Sequence, residues 1–318
     1  MTNEESKLYY KTVLNAMLAE ELLASCETPL LSREELSEEM YLELYTLLDQ
    51  VEHKYEFDLQ KNVATNHTRF TLWQQHFCGN ASPANTLAAT QFVLFCCLAD
   101  KILDSNRFSS VQKEAVCQKL YSQHFFSDRS YESQNFPELD TLLNQIRIYL
   151  LKCSISSQDK IELEEHMRRA FHSEIFMYRY PLKELDAMTE SDLPLLIDKS
   201  VEFELSACLI AGPSPYSPQM MKAAICIGRI MWIIDDLWDL PEDVAAFRRN
   251  SFLFFNLPLE SCSIQERSYA AQANIKLYVD ILANNLRSLK ETVNSTLFNH
   301  IRWEVCKWSK HINDAEGR

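Results

Sequence analysis

Glycine is nearly absent from this chain: Gly79, Gly212, Gly228 and Gly317 are the only four in 318 residues. Sheet proteins draw on glycine for hairpins, bulges and tight βα turns. Phosphate-cradling loops need it for close backbone approach, and neither a GxGxxG nor a GxxxxGK pattern occurs. The scarcity therefore predicts helices joined by ordinary polar loops. With 47% hydrophobic residues, the chain has enough apolar material for a large core.

Helical periodicity predicts helices over about 5–25, 34–60, 84–105, 109–125, 137–152, 158–180, 191–211, 217–240, 264–290 and 293–314. Ser32 and Glu35 have capping-box spacing, and Ser82-Pro83 puts a proline where a first helical turn tolerates it. Breakers fall between these segments, at 127–138, 154–159, 212–218 and 256–263. There is no repeat, low-complexity tract or interdomain linker. The expected architecture is all-α: a single domain over residues 1–318, built from about ten helices.

A net charge of −14 excludes nucleic acid as a natural partner, because phosphate backbones need a basic face. The ten cysteines show no CxxC or zinc-like spacing and read as free thiols in a reducing cytosol. The N-terminus MTNEESKLYY does not resemble a signal peptide, and the longest apolar run, near QFVLFCCLA, is too short to span a bilayer. The expectation is a cytoplasmic protein with no transmembrane segment.

Two acidic clusters follow apolar runs. In LFCCLADKILDSNRF, Asp100 and Asp104 stand one helical turn apart, behind Phe92, Val93, Cys96 and Cys97. In IIDDLWDLPED, Asp235, Asp239 and Asp243 lie on one stripe if the helix continues, with Asp236 beside them and Pro241 placed to end or kink it. Carboxylates at a helix C-terminus oppose the macrodipole, and like charges one turn apart repel. A divalent cation would supply the missing positive charge. The ligand set is hard oxygen without His or Cys, which suits Mg²⁺ over zinc or iron. The alternative is a solvated acidic helix end, with pairs such as Lys101–Asp104.

LADKILD resembles the first aspartate-rich motif of the class I isoprenoid synthases, usually written DDxxD, and IIDDLWDLPED resembles their second. The resemblance spans roughly residues 85–255. It implies an all-α bundle of the class I terpene synthase type around a central cavity. It also implies a prenyl diphosphate as substrate and a cluster of about three Mg²⁺ ions that neutralises the leaving diphosphate. Asp100, Asp104, Asp235, Asp236, Asp239 and Asp243 become the candidate metal ligands. Lys199, in Lys199-Ser200, is similar in position to a diphosphate-binding lysine of prenyl synthases; its other reading is a one-turn pair with Glu202. Arg107, Arg179, Arg248 and Arg249 are the remaining candidates for diphosphate, with surface charges as the alternative. Phe92, Phe95, Phe203 and Trp232 are candidates to line a hydrocarbon cavity, by cation–π attraction or as ordinary core.

The sequence departs from the chain-elongating members of the superfamily. Lys101 stands where a second aspartate is frequent, the usual Arg-Arg pair is reduced to Arg107, and no Gly-Gly-Lys-x-Arg loop occurs. The expected activity is thus a terpene synthase that ionises a linear prenyl diphosphate and cyclises it or eliminates a proton. The alternatives are a prenyltransferase condensing an allylic diphosphate with an acceptor, and a non-catalytic helical subunit. Oligomeric state is open, a homodimer among the options.

Overall fold

Proline opens three of the long helices, at Pro83, Pro137 and Pro218. Its fixed φ suits a first turn, where its missing N–H costs nothing. The computed structural model describes residues 12, 15, 38–55, 60–121, 136–153, 155–179, 192–246, 250–253 and 264–315. The helices are α1 (Glu38–Tyr55), α2 (Gln60–Cys78), α3 (Pro83–Asp104), α4 (Ser110–Tyr121), α5 (Pro137–Lys152), α6 (Ser157–Arg179), α7 (Asp192–Ala211), α8 (Pro218–Ala246), α9 (Ile264–Thr292) and α10 (Ser295–Ala315). A short 3-10 turn, Ser251–Leu253, precedes α9. No strand occurs among the described residues, and the fold is all-α, as glycine scarcity predicts. The expected helix over 5–25 and the Ser32 capping box lie outside the described residues.

Two differences from the sequence expectation have clear causes. Helix α2 is absent from the periodicity reading. Its buried stripe mixes Phe70 and Trp73 with Asn66, Arg69 and Gln74, so it does not register as apolar. Helix α8 does not stop near residue 240 but runs through Pro241 to Ala246. A proline in a helix forfeits one backbone bond and crowds one carbonyl, which bends a helix more readily than it ends it.

Backbone contacts group the chain into two compact units. One comprises Leu30–His172 and Phe203–Ala224; the other comprises Met1–Pro29, Ser173–Glu202 and Ile225–Arg318. In the first, α3 is the central element and packs against α1, α2, α4 and α5. Phe92, Leu94, Phe95, Leu98, Ile102 and Leu103 are each no more than 2% exposed, so α3 is enclosed on most of its circumference. By length and composition α3 is long and apolar enough to cross a bilayer, and 78% of its most apolar window is buried inside the fold. In the second unit, α9 packs against α10.

Buried polar side chains pin the helix ends of the first unit. Gln74 is 1% exposed. Its amide donates to the Ala211 carbonyl at the end of α7 (2.9 Å). Its Oε1 accepts from Ser82 N–H (2.6 Å) and Thr86 Oγ1 (3.1 Å) at the start of α3. Ser82 makes no side-chain cap bond, so Gln74 takes over part of that work. Arg69 pairs with Glu204 of α7 at 3.0 Å, with both side chains nearly sealed from solvent. Helix α2 ends in Gly79 at φ +77°, the left-handed position where glycine carries no Cβ penalty.

Gln74→Leu removes the shared partner of two helix ends and strands buried donors and acceptors. It should cost on the order of 3 kcal/mol in urea unfolding, with the slope unchanged. Burial lowers the pKa of His67 on α2 from 6.5 to about 4. The unfolded chain therefore takes up a proton near pH 6.5 that the folded chain refuses until about pH 4. Stability that is complete above that window should fall as the pH drops through it. The Tm decrease between pH 7 and 5 should be smaller in His67→Gln.

Candidate functional site

Asp100 and Asp104 lie on one face of α3, Asp104 being its last residue. Both are half-buried, while Lys101, on another side of the helix, is exposed. The preceding turns are core, so the pair is carried on a stem that is held from several sides. The carboxylates add charge where the helix C-terminus already presents carbonyl dipoles, the arrangement expected from the sequence.

The neighbouring candidates have occupations of their own. Arg107 donates from Nη1 to the Tyr55 carbonyl at 3.1 Å, serving as a side-chain cap on the C-terminus of α1. Phe92 and Phe95 are 0% exposed and belong to an aromatic cluster. Phe92 lies 6.3 Å from Phe171 and 5.7 Å from Phe203, and Phe95 meets Phe171 edge-on at 5.8 Å. Only Phe203 in this group keeps intermediate exposure.

In the second unit the acidic segment lies within α8 rather than at its end. Asp235 is exposed and Asp239 half-buried, one turn apart on the same stripe. Because α8 continues to Ala246, the dipole argument made from the sequence does not apply to these two residues. The backbone of Asp243 continues the helix; its side chain lies outside the described residues, as do Arg248 and Arg249.

Asp236 differs from its neighbours, and its expected role as a metal ligand conflicts with its hydrogen bonds. Its Oδ2 accepts from Trp232 Nε1 (3.0 Å) and from Ser251 N–H (3.0 Å), and also from Ser251 Oγ. Burial pushes its pKa up to about 6, against the Ser251 hydrogen bonds, with Asp235 also raising it and Lys199 lowering it. A metal claiming this oxygen would strand buried donors, at roughly 1–3 kcal/mol for each unpaired group. Trp232 is 1% exposed, its ring edge-on to Tyr278 at 5.7 Å, in ordinary core packing.

Lys199 pairs with Glu174 of α6 at 3.1 Å, not with Glu202 as intrahelical spacing allows. The two side chains are 30% and 12% exposed. Glu174 is the residue that sequence reasoning missed, since nothing in the local pattern of α6 marks it. Arg179, the last residue of α6, is exposed.

No three His, Cys, Asp or Glu side chains gather at one point among the described residues. Mg²⁺ does not need such a cage. It takes one or two carboxylates and completes its octahedron with water and substrate phosphate. The pairs Asp100–Asp104 and Asp235–Asp239 fit that donor set.

No protein-family model matches the chain, and no curated protein matches it. Among solved structures it is similar to geranylgeranyl pyrophosphate synthases. The one from Lactobacillus brevis ATCC 367, complexed with citrate, is 12% identical with a TM-score of 0.48, covering 97% of this chain and 96% of that one. The one from the archaeon Geoglobus acetivorans is 14% identical with a TM-score of 0.48, covering 96% and 97%. The one from Pyrococcus horikoshii OT3 is 11% identical with a TM-score of 0.41, covering 98% and 90%. At this distance no residue role passes from them to this chain.

Trp232→Phe keeps the ring in the core and deletes the N–H that Asp236 accepts. It should cost about 1–2 kcal/mol in denaturant unfolding.

Proposed function

We propose that the chain is an enzyme that uses Mg²⁺ to break the carbon–oxygen bond of a prenyl diphosphate. The observation that supports this reading best is the aspartate pair at the end of α3, half-buried and carried on an enclosed apolar helix. A second i, i+4 aspartate pair, Asp235 and Asp239, lies within α8, with Asp235 exposed and Asp239 half-buried. Placing two carboxylates at a helix C-terminus is unfavourable by itself and becomes favourable when a hard cation is held there. When bound, Mg²⁺ would neutralise charge on the departing diphosphate as a Lewis acid.

The chain's own residues divide the remaining work. Asp100, Asp104, Asp235 and Asp239 would each supply carboxylate oxygen. Lys199, its ammonium steadied by Glu174, would donate to a diphosphate oxygen. Phe203, the aromatic residue of its cluster that keeps exposed surface, would offer its face to a prenyl chain or to a passing allylic cation.

Two fates are open to the allylic cation. Transfer to an acceptor would build a longer prenyl diphosphate; the solved structures to which the chain is similar are named as geranylgeranyl pyrophosphate synthases. Cyclisation or elimination needs no second diphosphate, in keeping with the missing Gly-Gly-Lys-x-Arg loop.

Purified protein incubated with geranyl, farnesyl or geranylgeranyl diphosphate and Mg²⁺, with and without isopentenyl diphosphate, should release pyrophosphate from at least one donor. Product that forms only with the acceptor identifies transfer; product from the donor alone identifies a terpene synthase. Asp100→Ala and Asp239→Ala should each lower turnover on the order of 10²–10³-fold. No pyrophosphate under any condition would overturn the proposal in favour of a non-catalytic helical protein.

A further inference from the structure

We infer that Asp236 is a positioning residue: it fixes the roll of α8 about its axis, so that Asp235 and Asp239 stay presented together. The inference rests on the proposed Mg²⁺-dependent function and refines which acids of the segment do which work.

Successive residues of a helix are about 100° apart around the axis, so Asp235 and Asp239 lie about 40° apart on one stripe while Asp236 stands beside it, about 100° from Asp235 and about 60° from Asp239. On its own side of that stripe Asp236 is tied at two points. Its carboxylate accepts from Trp232 Nε1 (3.0 Å), Ser251 N–H (3.0 Å) and Ser251 Oγ. Its backbone carbonyl accepts from Asn250 Nδ2 (2.6 Å). The receiving turn is itself braced. Asn250 Oδ1 accepts from Phe252 N–H at 3.0 Å, and the Ser251 carbonyl accepts from Tyr278 Oη of α9 at 2.5 Å. Phe252 and Tyr278 stack with ring centroids 4.3 Å apart. Asn250, Ser251 and Phe252 are all 0% exposed.

Rolling α8 would break the Asp236 bonds together and leave buried donors without acceptors. A smooth rotation is thereby turned into an all-or-none change. Asp236, which the sequence groups with the ligand candidates, gives its Oδ2 to three donors of the protein.

The test compares Asp235→Asn, Asp236→Asn, Asp236→Leu and Ser251→Ala by thermal unfolding and by calorimetric titration with Mg²⁺ plus inorganic pyrophosphate. Asp236→Asn retains an acceptor oxygen, and its affinity should stay within about threefold of wild type. Asp235→Asn should lose about tenfold or more. Asp236→Leu and Ser251→Ala release the roll and should weaken affinity although neither removes a ligand; Ser251→Ala, the milder change, serves if Asp236→Leu does not fold.

An affinity loss in Asp236→Asn equal to that in Asp235→Asn would overturn the inference by making Asp236 a ligand. Lower Tm with unchanged affinity in both Asp236→Leu and Ser251→Ala would overturn it by making the network structural only. A wild-type protein with no affinity for Mg²⁺ and pyrophosphate would overturn the proposed function. In that event the metal-free Tm values decide on the latch itself. The Asp236→Leu/Ser251→Ala double variant should then be no less stable than the worse single variant, and additive losses would refute the latch.

Discussion

A polar group taken out of water has to be given a partner, and this requirement organises the protein. With so few glycines, the chain cannot close its helix ends by left-handed turns alone. It uses side chains from neighbouring elements instead. Gln74 serves the end of α7 and the start of α3. Arg107 serves the last carbonyl of α1. Asp236 serves the turn that leads toward α9. Each brings chain segments together with fewer degrees of freedom than a loop would, and the loss of Gln74, sealed from solvent, is costly.

The same requirement separates the acids of the two motifs. Acids with inward partners are structural: Asp236 with its Ser251 and Trp232 donors, Glu204 with Arg69. Acids on the partly exposed stripes, Asp100, Asp104, Asp235 and Asp239, remain accessible to a cation from solvent. Lys199 stands between these behaviours. Its pairing with Glu174 restrains the ammonium without sealing it, since nearly a third of its side chain is exposed. The pair is part-buried, and what it contributes to the proposed site is where it holds the charge.

Much of the fold was legible from glycine scarcity and helical periodicity, because α3 and α8 carry long apolar runs before their acids. Helix α2 was not, because Asn66, Arg69 and Gln74 occupy its buried stripe and find partners on other elements. Spacing marked the aspartates as a group but could not sort them, because the partners that distinguish Asp236 include Asn250 and Ser251, fourteen and fifteen positions downstream. Pro241 suggested a helix end, yet α8 absorbs it. Glu174 was invisible for the same reason as Gln74: a pairing between helices leaves no trace in the local pattern of either.

The enclosure of α3 has a consequence for how its two terminal carboxylates respond to a change in charge. A helix gripped by four others cannot drift toward an arriving ion, so little reorganisation energy is available from the backbone. The response falls to rotamers and to bound water, which relax far faster than packed helices do. On the proposed reading, ion selection on this helix would be governed by ionic radius and hydration strength, because the core fixes in advance the backbone positions from which the two carboxylates reach.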